Sequence, residues 1–213
     1  MGALDADNML EIEIRPNLLD RDRKLVISQD IVTYEDSNWK DIPNTTFNKD
    51  EIEGLRFGVE PIQGYVFTIG CRYCVDIKGF DGSLMKIRFT SLYGIRNKKL
   101  YEKYMSILNV LFSTHQEDII NRHIESFNRN SLVEILGTTF KTEGVTLNGN
   151  NILYDDLGFK EYKGSYALFS KSNPKIYKVY SYLKDWNSAV VYSISKQLLL
   201  ASAVTSPTTI SAR

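Results

Sequence analysis

The chain of 213 residues is 43% apolar and 24% charged, enough to bury a core and outside the composition of disordered or fibrous proteins. Its 26 Lys and Arg balance 26 Asp and Glu, so the basic excess of a dedicated nucleic-acid binder is missing and no nucleic-acid partner is expected. Two cysteines are too few for a disulfide-stapled secreted scaffold, no run reaches the ~18 apolar residues of a membrane span, and the acidic opening MGALDADNMLEIEIRP lacks the basic-then-apolar layout of a secretory signal; a cytoplasmic setting is expected.

In chain order, LEIEIRP (10–16) comes first. Leu10, Ile12 and Ile14 alternate with Glu11, Glu13 and Arg15, the pattern of a strand with one buried face, and Pro16 ends it. KLVISQDIVTYED (24–36) sets two apolar runs around a Ser28-Gln29-Asp30 turn. Beyond Pro43, Phe47, Ile52, Leu55 and Phe57 can line one core. Residues 64–89, GYVFTIGCRYCVDIKGFDGSLMKIRF, alternate from Tyr65 to Val75, turn between Gly79 and Ser83 and alternate again, which predicts a hairpin of two long strands. From Asn97 the period changes: Leu100, Tyr104, Ile107, Leu108, Leu111 and Phe112 fall at helical spacing. A second helical pattern covers 116–127 and breaks at Asn128–Ser131. Strand patterns then resume. A final helix is expected over 185–202, with Trp186, Ala189, Val190, Ile194, Leu198 and Ala201 on one face, followed by a Ser/Thr-rich polar tail at 204–213.

The pair Cys71-Arg72-Tyr73-Cys74 has the spacing of a redox centre or half a zinc site. Its flanks are strand-like, and a strand flips face at each residue, so the two thiols point to opposite faces about 10 Å apart. That exceeds the reach of a disulfide. The pair reads as two strand residues, and no metal or other cofactor is expected.

Segments recur in order. ISQDIVTY (27–34) is similar to FKTEGVTL (140–147), FNKDEI (47–52) to ILYDDL (152–157), and KIRFTSLY (86–93) to KIYKVYSYL (175–183). Each half then reads as several short strands followed by a helix, which points to an internal duplication. A strand meander closed by one C-terminal helix resembles the pleckstrin-homology-like superfold, its bacterial members in particular. The resemblance implies a fold that is mainly β with helices (α+β): two half-open antiparallel barrels, each capped by a C-terminal helix. The expected organisation is a first PH-like domain at 9–112, a connecting helix at 113–130, a shorter PH-like domain at 131–203 and the tail at 204–213.

Chemistry-bearing motifs are scarce. His115, Glu117, Asp118 and His123 share one stretch, but His115 and His123 are about 12 Å apart along a helix, too far for one ion. Asp50/Glu51 and Asp155/Asp156 are adjacent carboxylates, which diverge on a strand. No phosphate-binding loop, nucleophile elbow or kinase pattern occurs, so an enzyme is not expected. Tyrosine is abundant, and Tyr154, Tyr162, Tyr166, Tyr177, Tyr180 and Tyr182 are the candidate interaction surface, since tyrosine pairs an apolar ring with a polar tip. Arg21, Arg23, Lys24, Lys86 and Arg88 are candidate anion or lipid contacts, while Arg96, Lys98 and Lys99 read as solvated loop charges. The function expected is a non-catalytic adaptor- or inhibitor-type module that binds another protein. The alternative is a peripheral membrane module gripping acidic lipid headgroups. Unpaired sheet edges would permit a homodimer.

Overall fold

The computed structural model describes residues 9–17, 19–37, 39 and 42–205, with side chains placed as far as residue 201. Strands β1 (Leu10–Ile14), β2 (Arg23–Ile27), β3 (Ile31–Tyr34) and β4 (Thr45–Asn48) form an antiparallel meander in sequence order. β5 (Ile52–Gln63), β6 (Thr68–Gly79) and β7 (Leu84–Leu92) form a second meander, and helix α1 (Asn97–Leu111) follows. The same order then recurs. β8 (Leu132–Ile135), β9 (Thr138–Lys141), β10 (Gly144–Leu147) and β11 (Asn150–Leu153) make a four-stranded meander. β12 (Leu157–Tyr162), β13 (Ser165–Ser170) and β14 (Tyr177–Ser181) make a three-stranded one, and helix α3 (Ser188–Thr205) follows. The protein is thus mixed α+β, with four open antiparallel sheets among the described residues.

A π-helical turn, Phe112–Gln116, joins α1 directly to α2 (Glu117–Asn130). The segment expected as a connector is helical, but it continues α1 instead of starting afresh. The chain divides into two compact units, Met1–Ile119 and Ile120–Arg213, so the division falls inside α2.

Local sequence explains the elements. In β1, Leu10 and Ile14 are buried while Glu11 and Glu13 face solvent. The β2–β3 turn is closed by the Ser28 N–H donating to the Ile31 carbonyl at 2.9 Å. Phe47, Ile52 and Leu55 enter the first core as expected, and Phe57 meets Phe112 edge-on at 4.9 Å between ring centroids. The recurring segments occupy corresponding places: 27–34 spans the β2–β3 hairpin and 140–147 the β9–β10 hairpin, 47–52 leads from β4 into β5 and 152–157 from β11 into β12. Segments 86–93 and 175–183 cover β7 and β14, each the last strand before a helix.

Several expectations are corrected, among them the break expected at Asn128, since α2 runs on to Asn130. Residues 64–67 are not strand: β5 ends at Gln63, β6 starts at Thr68, and Gly64–Phe67 is the turn between them, closed by the Gly64 N–H donating to the Phe67 carbonyl at 2.8 Å. The expected hairpin is real at its other end, where β6 and β7 pair from Gly70↔Leu92 to Lys78↔Leu84. The last helix begins at Ser188, because Asn187 adopts a left-handed conformation (φ 59°) that cannot continue a helix. Helix α3 extends to Thr205, and the rest of the expected tail, 206–213, lies outside the described residues.

Candidate functional site

Each three-stranded sheet has an inner face against its helix and an outer face. In the first unit Tyr73 lies opposite Phe89 on neighbouring strands and stacks on it at 5.2 Å, and its ring meets Tyr104 of α1 at 5.3 Å. Its hydroxyl donates to Asn97 Oδ1 at 2.7 Å, at the first residue of α1. In the second unit Tyr166 lies opposite Tyr180, stacks on it at 4.9 Å, and its hydroxyl donates to the Ser188 carbonyl at 2.7 Å, at the first residue of α3. Tyr73 and Tyr166 are both on the middle strand, so one arrangement pins the start of the closing helix in each unit.

The tyrosines expected as a surface therefore divide. Tyr166, Tyr180 and Tyr154 are buried and belong to the core. Burial pushes the Tyr154 and Tyr180 hydroxyls up to about 12, and Tyr154 donates to the Lys141 carbonyl at 2.7 Å. Tyr182 is half-buried, packed against Tyr166 and Tyr192. Tyr162 and Tyr177 are exposed. Strand parity accounts for the split: the pairings Phe159↔Leu168 and Tyr166↔Tyr180 lie on the inner face, and Phe169↔Tyr177 and Ala167↔Val179 on the outer one.

The outer face of β12-β13-β14 is aromatic and aliphatic. Tyr162, Phe169, Tyr177 and Val179 share it with Ala167, and Lys160 lies over the Tyr162 ring at 5.4 Å. Tyr177 and Val179 are 54% and 51% exposed, so the strip faces solvent. Gly158 permits it: a Cβ there would come within 2.4 Å of the Phe169 ring, which lies flat over the backbone.

The corresponding face of β5-β6-β7 is charged, and most of its charges are ion-paired. Asp76, almost wholly buried, receives Arg56 Nε at 2.8 Å and pairs with Arg88 at 2.5 Å. Lys78 pairs with Glu53 at 2.7 Å and Arg72 with Glu60 at 3.2 Å. Cross-strand register sets this up, since Arg56 faces Asp76 directly and Arg88 lies diagonal to it.

The candidate anion contacts are not gathered at one place. Arg21 pairs with Glu35 at 2.6 Å, Lys24 with Glu11 at 2.7 Å, and Arg88 with Asp76. Arg23 donates to the Asp36 carbonyl at 2.6 Å. Lys86 is exposed and has no ion pair among the described residues.

The His115 stretch is structural. His115 is buried, and its Nε2–H donates to the Ser28 carbonyl at 2.9 Å, tying the π-helical turn to the β2–β3 turn; burial holds its pKa below the usual imidazole range. Asp118 pairs with Lys49 at 2.6 Å. Among the described residues no three His, Cys, Asp or Glu side chains gather where they could hold a metal. Asp156 is a turn organiser. It accepts from the Ser170 hydroxyl at 2.5 Å and the Ser172 N–H at 2.7 Å, and these bonds lower its pKa.

Both cysteines are free and lie in β6 on opposite faces. Cys74 is buried, which raises its thiol pKa, whereas Cys71 is half-exposed near Asn97. Iodoacetamide is expected to label Cys71 in the folded protein and Cys74 only on unfolding. Mass spectrometry of partially labelled protein checks this; equal labelling of both in the native state would contradict the placement.

Among the described residues no helix is long and apolar enough to cross a membrane. No protein-family model matches the chain, and no curated protein or solved structure matches it either.

Proposed function

We propose that the chain is a non-catalytic binding protein of two pleckstrin-homology-like halves, and that it works by docking another protein on the outer face of β12-β13-β14. Support for the halves comes from the repeated order of a four-stranded meander, a three-stranded meander and a helix. The tyrosine that anchors each helix start adds to it, as do the three recurring segments at corresponding places. The open sheets and the helix against each second meander fit the half-open barrel and plugging helix of that superfold, and duplication of one ancestral unit accounts for the correspondence.

One observation carries the functional reading. The two outer faces correspond in position and differ in chemistry: the first is dominated by charged side chains, most of them ion-paired, while Tyr162, Phe169, Tyr177 and Val179 make the second mainly apolar and solvent-facing, with Lys160 beside Tyr162. Rigid aromatic side chains with little charge are the composition of the centre of a protein interface. The lipid-headgroup reading draws less support, because most of its basic residues are engaged within the fold.

The test is native co-purification with wild-type protein and with Tyr177→Glu/Val179→Glu. The wild type is expected to retain a stoichiometric protein that the variant loses, with an unchanged unfolding midpoint because both side chains face solvent. Retention of the same partner by the variant would count against this face.

A further inference from the structure

The turn between β5 and β6 consists of Gly64-Tyr65-Val66-Phe67, and its three apolar side chains point into solvent: Tyr65 is fully exposed, Val66 is 83% exposed and Phe67 64%. Folding gains nothing from exposing three consecutive large apolar residues. The turn also projects. β5 and β6 pair as far as Gln63↔Thr68, whereas β7 stops at Leu92, opposite Gly70. The tip therefore overhangs the third strand, as a convex point and not a groove.

Basic residues stand at the same end of this unit. The chain leaves β7 at Tyr93, whose N–H donates to the Ile69 carbonyl at 2.7 Å, and passes exposed Ile95 into α1 at Asn97, which contacts Tyr73 and Cys71. Arg96, Lys98 and Lys99 follow from this turn; all three are exposed and none has an ion pair among the described residues. They crowd the first turn of α1, which carries no acidic residue and where the helix dipole disfavours cations; Glu102, the next acid along the helix, makes no ion pair with them among the described residues. Of the acids on neighbouring elements, Glu60 is paired with Arg72 and Asp22 with Arg15.

We propose that this end of the first unit rests on an anionic lipid bilayer, with Tyr65, Val66 and Phe67 entering the headgroup–acyl boundary and Arg96, Lys98 and Lys99 lying over the acidic headgroups. A protruding tip suits a soft planar surface, aromatic rings favour the membrane interface, and unpaired cations beside it match the charge of acidic lipids. A protein partner would meet the tip with a cavity and an acidic rim, which makes it the rival occupant. The site is separate from the outer face of β12-β13-β14, so either can fail without the other.

The test is flotation of the full chain with vesicles of phosphatidylcholine alone and of phosphatidylcholine with phosphatidylserine. Wild-type protein is expected to float with the anionic vesicles, much less with neutral ones, and to be released by salt. Val66→Asp is expected to reduce binding at least tenfold with unfolding unchanged, and Lys98→Gln and Lys99→Gln roughly fivefold each. Phe67→Trp reads insertion directly, as a blue shift on adding anionic vesicles that wild-type protein, with Trp39 and Trp186, does not give. No flotation with anionic vesicles, equal flotation of Val66→Asp, or an unmoved Phe67→Trp spectrum would overturn the proposal. So would a wild-type dimer that Val66→Asp makes monomeric without any vesicle binding.

Discussion

Asp76→Ala should destabilise the protein by about 3–5 kcal/mol in a urea titration, the cost of removing one partner from a buried ion pair. The carboxylate is 2% exposed and holds two guanidinium groups, Arg56 through Oδ2 and Arg88 through Oδ1. Arg88 also donates to the Val75 and Ile87 carbonyls, so its head is fixed over the sheet and cannot swing out cheaply. Without Asp76 both partly buried guanidinium groups lose this ion-pair partner. The control is Arg72→Ala at the Arg72–Glu60 pair, where both side chains are about half exposed; an exposed pair is worth about 0–1 kcal/mol. Equal effects from the two substitutions would mean that the buried network does not organise the sheet.

Tyr166→Ala should have an effect of the same size, about 3–5 kcal/mol, because it removes a fully buried ring at the centre of the second core. Tyr166 stacks on Phe159 at 5.2 Å and on Tyr180 at 4.9 Å and meets Tyr192 of α3 edge-on at 5.4 Å. Tyr166→Phe keeps the ring and loses only the bond to the Ser188 carbonyl, which should cost about 1–3 kcal/mol. Tyr73→Phe tests the matching bond to Asn97 in the first unit. Tyr162→Ala and Tyr177→Ala, on the outer face, should stay within about 0.5 kcal/mol. A Tyr177→Ala loss as large as that of Tyr166→Ala would place Tyr177 in the core and remove it from the docking surface.

The contrast between these tyrosines marks how far the sequence could be read. The alternation of LEIEI, the Ser28-Gln29-Asp30 turn and the helical spacing after Asn97 each carry local information, and each element formed where expected. The opposite faces of Cys71 and Cys74 follow from parity alone. Parity within YALFS and YKVYS could also have sorted Tyr166 and Tyr180 from Tyr177, once the buried face was known. Other features depend on pairing between distant segments. Asp76 meets Arg56 and Arg88 only through the β5-β6-β7 register, and Arg21 meets Glu35 across fourteen positions of sequence. Tyr65-Val66-Phe67 misled for the same reason: the residues have strand composition and alternate with their neighbours, and only the end of pairing at Gln63↔Thr68 makes them a tip.

Titration of the co-purified partner against wild-type protein and Tyr177→Ala tests the docking reading most directly. The expected result is binding by the wild type and a loss of roughly thirtyfold or more in the variant, the effect of truncating a central aromatic contact. Equal affinities, with both proteins equally folded, would contradict it.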